Sequence, residues 1–295
     1  MTTCSVRSQA RAEPLYGTAS TVRAFLLFEA PGPWGTDAVR DARLPASVRS
    51  NLRRRTRAAG VRPLLVRRYG RTDPTGTRVF VAYADPHRPW LETGLLDGPD
   101  RLLELDLEAL AEGRSVGLAS TDEPVFLTCT HGRHDRCCAE RGRPVAAALA
   151  RSHPAESWEV SHIGGDRFAG NLLVLPDGLY YGRLEAEEAP ELAERHRAGH
   201  LDLAHLRGRC GYGFAVQAAE WFLRSRLRLT GTRAVRLEAR TVRGARTVAD
   251  FAAGGRRWRV VVARGDSSPQ LLTCGAPGPH PIPGHDLVGI EALDD

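Results

Sequence analysis

The sequence predicts an α/β protein of two similar units, the first degenerate, followed by a short β-rich appendage. Three observations carry this expectation. Short apolar runs such as Val125–Cys129 and Val22–Phe28 are too short for helices and end in polar or Pro/Gly loops, which marks buried strands. After each run come a loop, a helix-forming stretch and further strands in the same order. Beyond Ala234 the pattern changes to short strand-like runs alone. At 295 residues the chain has room for more than one core. We divide it at 1–120, 121–230 and 231–295.

In chain order, Val22–Phe28 is a strand running into the loop Pro31-Gly32-Pro33-Trp34-Gly35. Ala46–Ala59 reads as a helix, Arg62–Arg67 and Arg78–Ala84 as strands, and the leucine-rich Asp100–Glu112 as a second helix. Trp34 is expected to fill a pocket between loops. Cys4 lies in an N-terminal stretch expected to be mobile, and it receives no role.

The second unit opens with the strand Val125–Cys129. Thr130–Arg143 reads as a charged loop containing Gly132 and Gly142. Pro144 is placed in the first turn of a helix, where its missing N–H costs nothing, and VAAALAR continues with good helix formers. Trp158–Ile163 and Ala169–Leu175 are strands, and Pro176-Asp177-Gly178 turns the chain into a third, Leu179–Leu184. Strand, loop, helix and three strands is the order of a thioredoxin-like unit. The fold class is therefore two thioredoxin-like units, the N-terminal one without the cysteines, and a C-terminal β-rich extension.

Ala186–His205 is charged and helical, and His196 and His200 share one face of it. Without a third ligand nearby they are expected to be an exposed pair rather than a metal site. Phe214–Leu227 is a helix with an apolar side at Ala215, Ala218, Ala219 and Phe222. AVRLEARTV, RWRVVVAR and PQLLTCG supply the final strands, and GAPGPHPIPGHD is a loop. Cys274 is expected to be a packed thiol at the end of a strand.

Composition narrows the function. No run approaches the roughly 18–20 apolar residues that cross a bilayer, and MTTCSVRSQARAEP lacks the apolar centre of a signal peptide. The expectation is a cytoplasmic protein that does not enter membranes. All 41 basic residues are arginine, and the net charge is +6. Because acids are interleaved nearly everywhere, nucleic acid is not the expected partner. Arg53-Arg54-Arg55, Arg67-Arg68 and Arg256-Arg257 are the exceptions, and a basic surface for an acidic redox protein stays open. Six irregularly spaced cysteines in such a chain argue for metal or redox use.

The chemistry concentrates between Val125 and Leu184. Cys129 and Cys138 are separated by eight residues, and the following loop carries His162 and Asp166 around Gly164-Gly165. Thiolates with an imidazole suit iron or zinc. Paired glycines let a loop adopt backbone angles that bring two side chains onto one ion. Arg133, Arg136 and Arg167 flank these residues, either to stabilise added negative charge or simply as solvated surface.

The segments CTHGRHDRCC (129–138), GRPVAAAL (142–149), SHIGGDRFAGN (161–171) and LYYGRL (179–184), with GTASTVRAFLLFEAPGPWG (17–35), resemble the thioredoxin-like ferredoxins of the sucrase/ferredoxin-like family. The resemblance implies a [2Fe–2S] cluster held by two cysteines in a C-x8-C loop and by a second loop that often supplies H-x3-H. By position, Cys129 and Cys138 match the cysteines and His162 the first histidine. Asp166 stands where the second histidine is expected. A carboxylate is a harder, poorer partner for sulfide-bridged iron, so three outcomes stay open. Asp166 ligates; or His131, His134, Cys137 or Cys210 replaces it; or the cluster is weak or absent. The expected function is a one-electron carrier rather than a stand-alone enzyme. The alternatives are a structural zinc protein and a scaffold without cofactor. A thiol oxidoreductase is disfavoured because there is no C-x-x-C, and no carboxylate pair marks a glycosidase.

Overall fold

The computed structural model describes residues 2–70, 76–266 and 268–293. In chain order its elements are α1 (Cys4–Ala10), β1 (Ala24–Glu29), α2 (Ala46–Ala59), β2 (Arg62–Arg67), β3 (Thr77–Tyr83) and β4 (Trp90–Leu96). Then follow α3 (Leu107–Ala111), β5 (Ala119–Ser120), β6 (Val125–Cys129), α4 (Arg136–Ser152), β7 (Ser157–Val160), β8 (Leu172–Leu175) and β9 (Leu179–Tyr181). The chain closes with α5 (Ala189–Arg197), β10 (Leu206–Arg209), α6 (Phe214–Leu227), β11 (Val235–Arg243), β12 (Arg246–Ala253), β13 (Arg256–Asp266) and β14 (Pro283–Leu293).

Every residue of β1 and of β6 is buried. Strands covered on both faces need no polar alternation, so both read as plain apolar runs. β1 is followed by α2, which ends at Gly60 with φ 70° in the left-handed region. The chain then returns as β2 parallel to β1. β3 pairs antiparallel with β1, β4 with β3, and β5 with β4. β6 and α4 repeat the pattern. β7 is parallel to β6, β8 antiparallel to it, β9 antiparallel to β8 and β10 to β9.

The two repeats meet edge to edge through an antiparallel β2–β7 pair, with Val66 opposite Val160 and Arg67 opposite Glu159. One ten-stranded sheet results, in the order β10–β9–β8–β6–β7–β2–β1–β3–β4–β5. One of its faces carries a core common to both repeats, with Phe25, Leu27, Leu64 and Val66 joined to Leu127, Trp158, Val160 and Leu173. On the other face each repeat is covered separately. α2 and α3 pack on Leu26, Phe28 and Leu65, and α4 and α5 pack on Phe126, Leu172 and Val174.

β11–β14 form a second, antiparallel sheet. β12 alternates strictly between buried and less buried positions, as a half-covered strand should. Its buried Ala249 and Phe251, with Val260 and Val262 of β13, pack against Val216, Ala219 and Leu223 of α6.

Several expectations are corrected. α4 begins at Arg136, eight residues before Pro144, so the anticipated charged loop is mostly helix and the proline lies inside it. Asp135 caps its start, accepting the Cys137 amide at 2.8 Å. The cap fixes where the helix begins, and burial of Cys138, Val145, Ala146 and Leu149 along it offsets the cost of the proline. The expected helix Asp100–Glu112 is a 3-10 turn, Pro99–Leu103, and the short α3, separated by the Asp106 cap. The N-terminal stretch, expected to be loose, forms α1 and packs on the protein, with Cys4 fully buried. Residues 269–275 contribute only an isolated bridge, Gln270 to His280, while the expected final loop ends in β14. His196 is buried and lies 3.2 Å from Asp177, so it is not half of an exposed histidine pair. Among the described residues, no helix is long and apolar enough to cross a membrane.

Candidate metal centre

Cys129 is the last residue of β6, fixed by its amide donating to the Asn171 carbonyl at 2.9 Å. Thr130 then donates to Val160 at 3.2 Å, holding the turn against β7. Asp135 starts α4 so that Cys138 falls in its first turn. Gly142 lets this helix approach the strand: a Cβ there would stand 2.0 Å from the Cys129 carbonyl oxygen. The glycine therefore sets how near Cys138 comes to Cys129.

His162 and Asp166 leave the end of β7 on the loop 161–166. Gly164 and Gly165 have φ of 99° and 81°, angles that L side chains resist. A Cβ on Gly165 would also lie 2.3 Å from an Arg207 nitrogen. Arg207 is fully buried and holds the loop from beneath. It donates to the Gly164 carbonyl and to Asn171 Oδ1, each at 2.9 Å, and to the Thr18 carbonyl at 2.6 Å.

These supports bring together the four residues singled out by sequence. The ligating atoms of Cys129, Cys138 and His162 all lie within 4.8 Å of one another. Asp166 Oδ1 is 3.1 Å from Cys138 Sγ and 2.9 Å from His162 Nδ1. His134 joins from the loop before α4. Its ring stacks on His162 at 3.7 Å, and its Nε2 is 3.8 Å from Asp166 Oδ2. Cys129, Cys138 and Asp166 are buried, whereas the side chains of His162 and His134 are 24% and 34% exposed. The imidazoles thus form the solvent side of the centre. They border a cleft with Arg62 and Asp37.

The electrostatics follow from this packing. Hydrogen bonding from Cys138, with help from His162, holds the Cys129 thiol well below its ordinary pKa despite burial. Cys138 is pushed up by Cys129 and by burial. Burial opposes charge on His162, but Asp166 and Cys129 outweigh it and raise the imidazole to about 9. Burial likewise opposes charge on Asp166, yet His162 holds it below the usual carboxylate range.

The donor set fits a metal centre. Two thiols, an imidazole and a carboxylate are suitable ligands for zinc or for iron. His162 Nδ1 is buried and makes no hydrogen bond. It lies 2.9 Å from Asp166 Oδ1, so the two atoms face the same point.

The other residues considered for this centre are placed elsewhere. His131 Nε2 donates to the Gly35 carbonyl at 2.6 Å and its Nδ1 accepts the His162 amide at 3.3 Å, so both nitrogens are engaged. Cys137 turns to Cys4 and Cys274. Cys210 binds Gly178 in the β8–β9 turn, at the end of β8 away from Asn171. Arg167 pairs with Glu13 at 2.8 Å and lies over Phe168, not against Asp166. Arg133 and Arg136 line a neighbouring cavity of about 420 Å³ with Arg67, Arg143 and Trp34. Trp34 is buried, with its edge to His131 and the Arg67 guanidinium over its ring. Sequence reasoning missed Arg207 and Asn171. The one available hint was an arginine flanked by leucine and glycine in LRGRC.

Residues 15–208, about two thirds of the chain, match the sucrase/ferredoxin-like family. The chain belongs to that family. No curated protein and no solved structure matches it. The family match includes Cys129, Cys138, His162 and Asp166 and ends after Arg207, so every sucrase/ferredoxin-like feature described above lies within it.

Proposed function

We propose that this sucrase/ferredoxin-like chain carries one electron at a time on a [2Fe–2S] cluster held by Cys129, Cys138, His162 and Asp166. The observation that supports this most is the convergence of two buried thiols from different elements with one partly exposed imidazole. When bound, such a cluster supplies one-electron chemistry, at a higher potential with an imidazole ligand than with thiolates alone. The chain's own part is to exclude water from Cys129 and Cys138, to orient His162 through Gly164 and Gly165, and to give His162 an edge to solvent. That edge is where proton uptake can be linked to electron uptake.

Each repeat is thioredoxin-like in this reading, on the strength of its strand–helix–strand–strand–strand order. Arg133 and Arg143, in the cavity beside Trp34, suit docking of an acidic redox protein. Six unbridged cysteines suit a reducing cytoplasm.

A second reading is a single structural zinc. The closeness of the Cys129, Cys138 and His162 ligand atoms, within 4.8 Å of one another, favours it. Anaerobic purification followed by assay of iron, acid-labile sulfide and zinc separates the two. About two irons and two sulfides bound through Cys129 and Cys138 fit the electron carrier. Zinc without sulfide at these residues replaces it with the structural site, and no metal leaves a scaffold. Cys129→Ser and Cys138→Ser should each bleach the protein.

A further inference from the structure

Cys137 is next to Cys138 in sequence but belongs to a different group. In the first turn of α4 it points away from the proposed cluster, toward both ends of the chain. Its sulfur lies 3.5 Å from that of Cys4 and 3.4 Å from that of Cys274, and Cys4 and Cys274 are themselves 3.5 Å apart. Three thiols separated by more than 130 residues thus make a nearly equilateral triangle. Two of them, Cys4 and Cys274, lie outside the family match.

The triangle is too wide for a disulfide, whose sulfurs sit about 2.05 Å apart, and an odd number of thiols cannot all pair. It is close to the sulfur face of a tetrahedral zinc–thiolate site. With Zn–S bonds of about 2.3 Å, an ion over its centre sits only about 1 Å out of the sulfur plane. Asp135 stands at the open side. Its Oδ2 is 3.8 Å from Cys4 Sγ, and the ligating atoms of Cys4, Asp135, Cys137 and Cys274 all lie within 4.8 Å of one another.

Hydrogen-bond donors already reach two of the three sulfurs. The Cys4 amide donates to Cys274 Sγ at 3.4 Å and Ser5 Oγ donates to Cys137 Sγ at 3.3 Å. The amino end of the 17-residue α4 faces the group, where negative charge is favoured. Asp135 is held in place by the amides of Cys137 at 2.8 Å and Cys274 at 2.5 Å. Cys4, Cys137 and Asp135 are buried and Cys274 is partly exposed, which leaves an entry path for an ion.

We infer that Cys4, Cys137 and Cys274, completed by Asp135, form a second metal site that takes one zinc ion and staples α1 and the 274 loop to the start of α4. Binding of Zn²⁺ displaces three thiol protons and forms three Zn–S bonds and one Zn–O bond. Zinc suits the site because a closed, four-ligand shell of thiolates and a carboxylate offers no open position for chemistry. The adjacent Cys137 and Cys138 therefore serve two centres, one on each side of the helix.

The test uses the full chain, freed of metal and titrated with zinc, and separately with cobalt(II) as an optical probe. The wild type should bind about one zinc here, and cobalt should give the thiolate charge-transfer and intense visible bands of a tetrahedral site. Cys274→Ser, in a partly exposed loop, should lose this zinc and weaken the cobalt bands while keeping the Cys129/Cys138 centre. Cys4→Ser should do the same. Cys129→Ser should leave both signals of the second site intact, which separates its failure from failure of the cluster. Circular dichroism of each variant checks that the fold persists. Zinc content and cobalt spectra unchanged in folded Cys4→Ser and Cys274→Ser would overturn the site. So would a disulfide between any two of the three cysteines in the native protein, found by mass spectrometry without metal.

Discussion

At the residue scale, the position to test is Asp166, where the resemblance implies a second histidine. A carboxylate ligand brings a negative charge where an imidazole would bring none. Asp166→His should therefore raise the midpoint potential and strengthen cluster retention. Redox titration and reduced-state EPR measure both, and a potential unchanged in both Asp166→His and Asp166→Ala removes this residue from the ligand set. Arg207 is the residue on which the ligand loop rests. Arg207→Met would leave the Gly164 and Thr18 carbonyls and Asn171 Oδ1 without this donor. Each such loss costs about 1–3 kcal/mol, so we expect at least about 3 kcal/mol of destabilisation in denaturant melts, with reduced metal content. A variant of wild-type stability would show that the loop holds itself. The convergence of Cys129, Cys138, His162 and Asp166 was legible in the sequence because their types and short spacings survive in one dimension. Arg207 was not, because its partners are 36 to 189 residues away.

At the element scale, α4 decides the geometry of the centre. Gly142→Ala would set a methyl group on the Cys129 carbonyl, pushing helix from strand. Overpacking of this kind costs about 1–3 kcal/mol, and metal retention should fall with it; unchanged retention in iron and zinc assays would show that Cys138 does not need this approach. A proline among charged residues reads as a helix start, which puts the expected loop where α4 has already begun. The cap at Asp135, an Asp before Arg-Cys-Cys, is the stronger signal once it is seen.

The segment between α5 and β10 offers a pH test. His205 is raised by Asp202, to which it is bound, and Asp202 is lowered by His205 in turn. The histidine's contribution is fully present below its ordinary value of about 6.5 and is lost as pH rises through the raised folded value. The aspartate's contribution is present above about 3.9 and is lost as pH falls through its depressed value. His205→Gln should therefore cost most between about pH 4 and 6.5, on the order of 1 kcal/mol, and little in alkali. Melting curves across pH that differ by a constant would contradict this.

At the scale of the whole molecule, the two repeats share a sheet and one of its cores. Leu127, fully buried in that common core, is a test of their coupling. Leu127→Ala should cost about 2–5 kcal/mol and lower a single unfolding transition seen by probes in both halves. Two transitions, with only the second repeat destabilised, would show that the halves fold separately. The repeated order of elements was legible because each repeat begins with the same kind of apolar run. The continuous sheet was not, since an edge pairing as short as β2–β7 leaves no mark in composition. The meeting of Cys4, Cys137 and Cys274 was equally hidden, because only the folded chain brings its two ends to one helix.

The seam at β2–β7 has a consequence for how labour is divided. Val66 and Val160 face each other across it, Glu29 lies beside Val66 in β1, and Cys129 lies beside Val160 in β6. Glu29 thus holds the register position in the first half that Cys129 holds in the second, and the first half brings an acid where the second brings sulfur. The loop after β1 reaches over and presses Trp34 and the Gly35 carbonyl against His131. The half without the thiols becomes a wall for the half that has them.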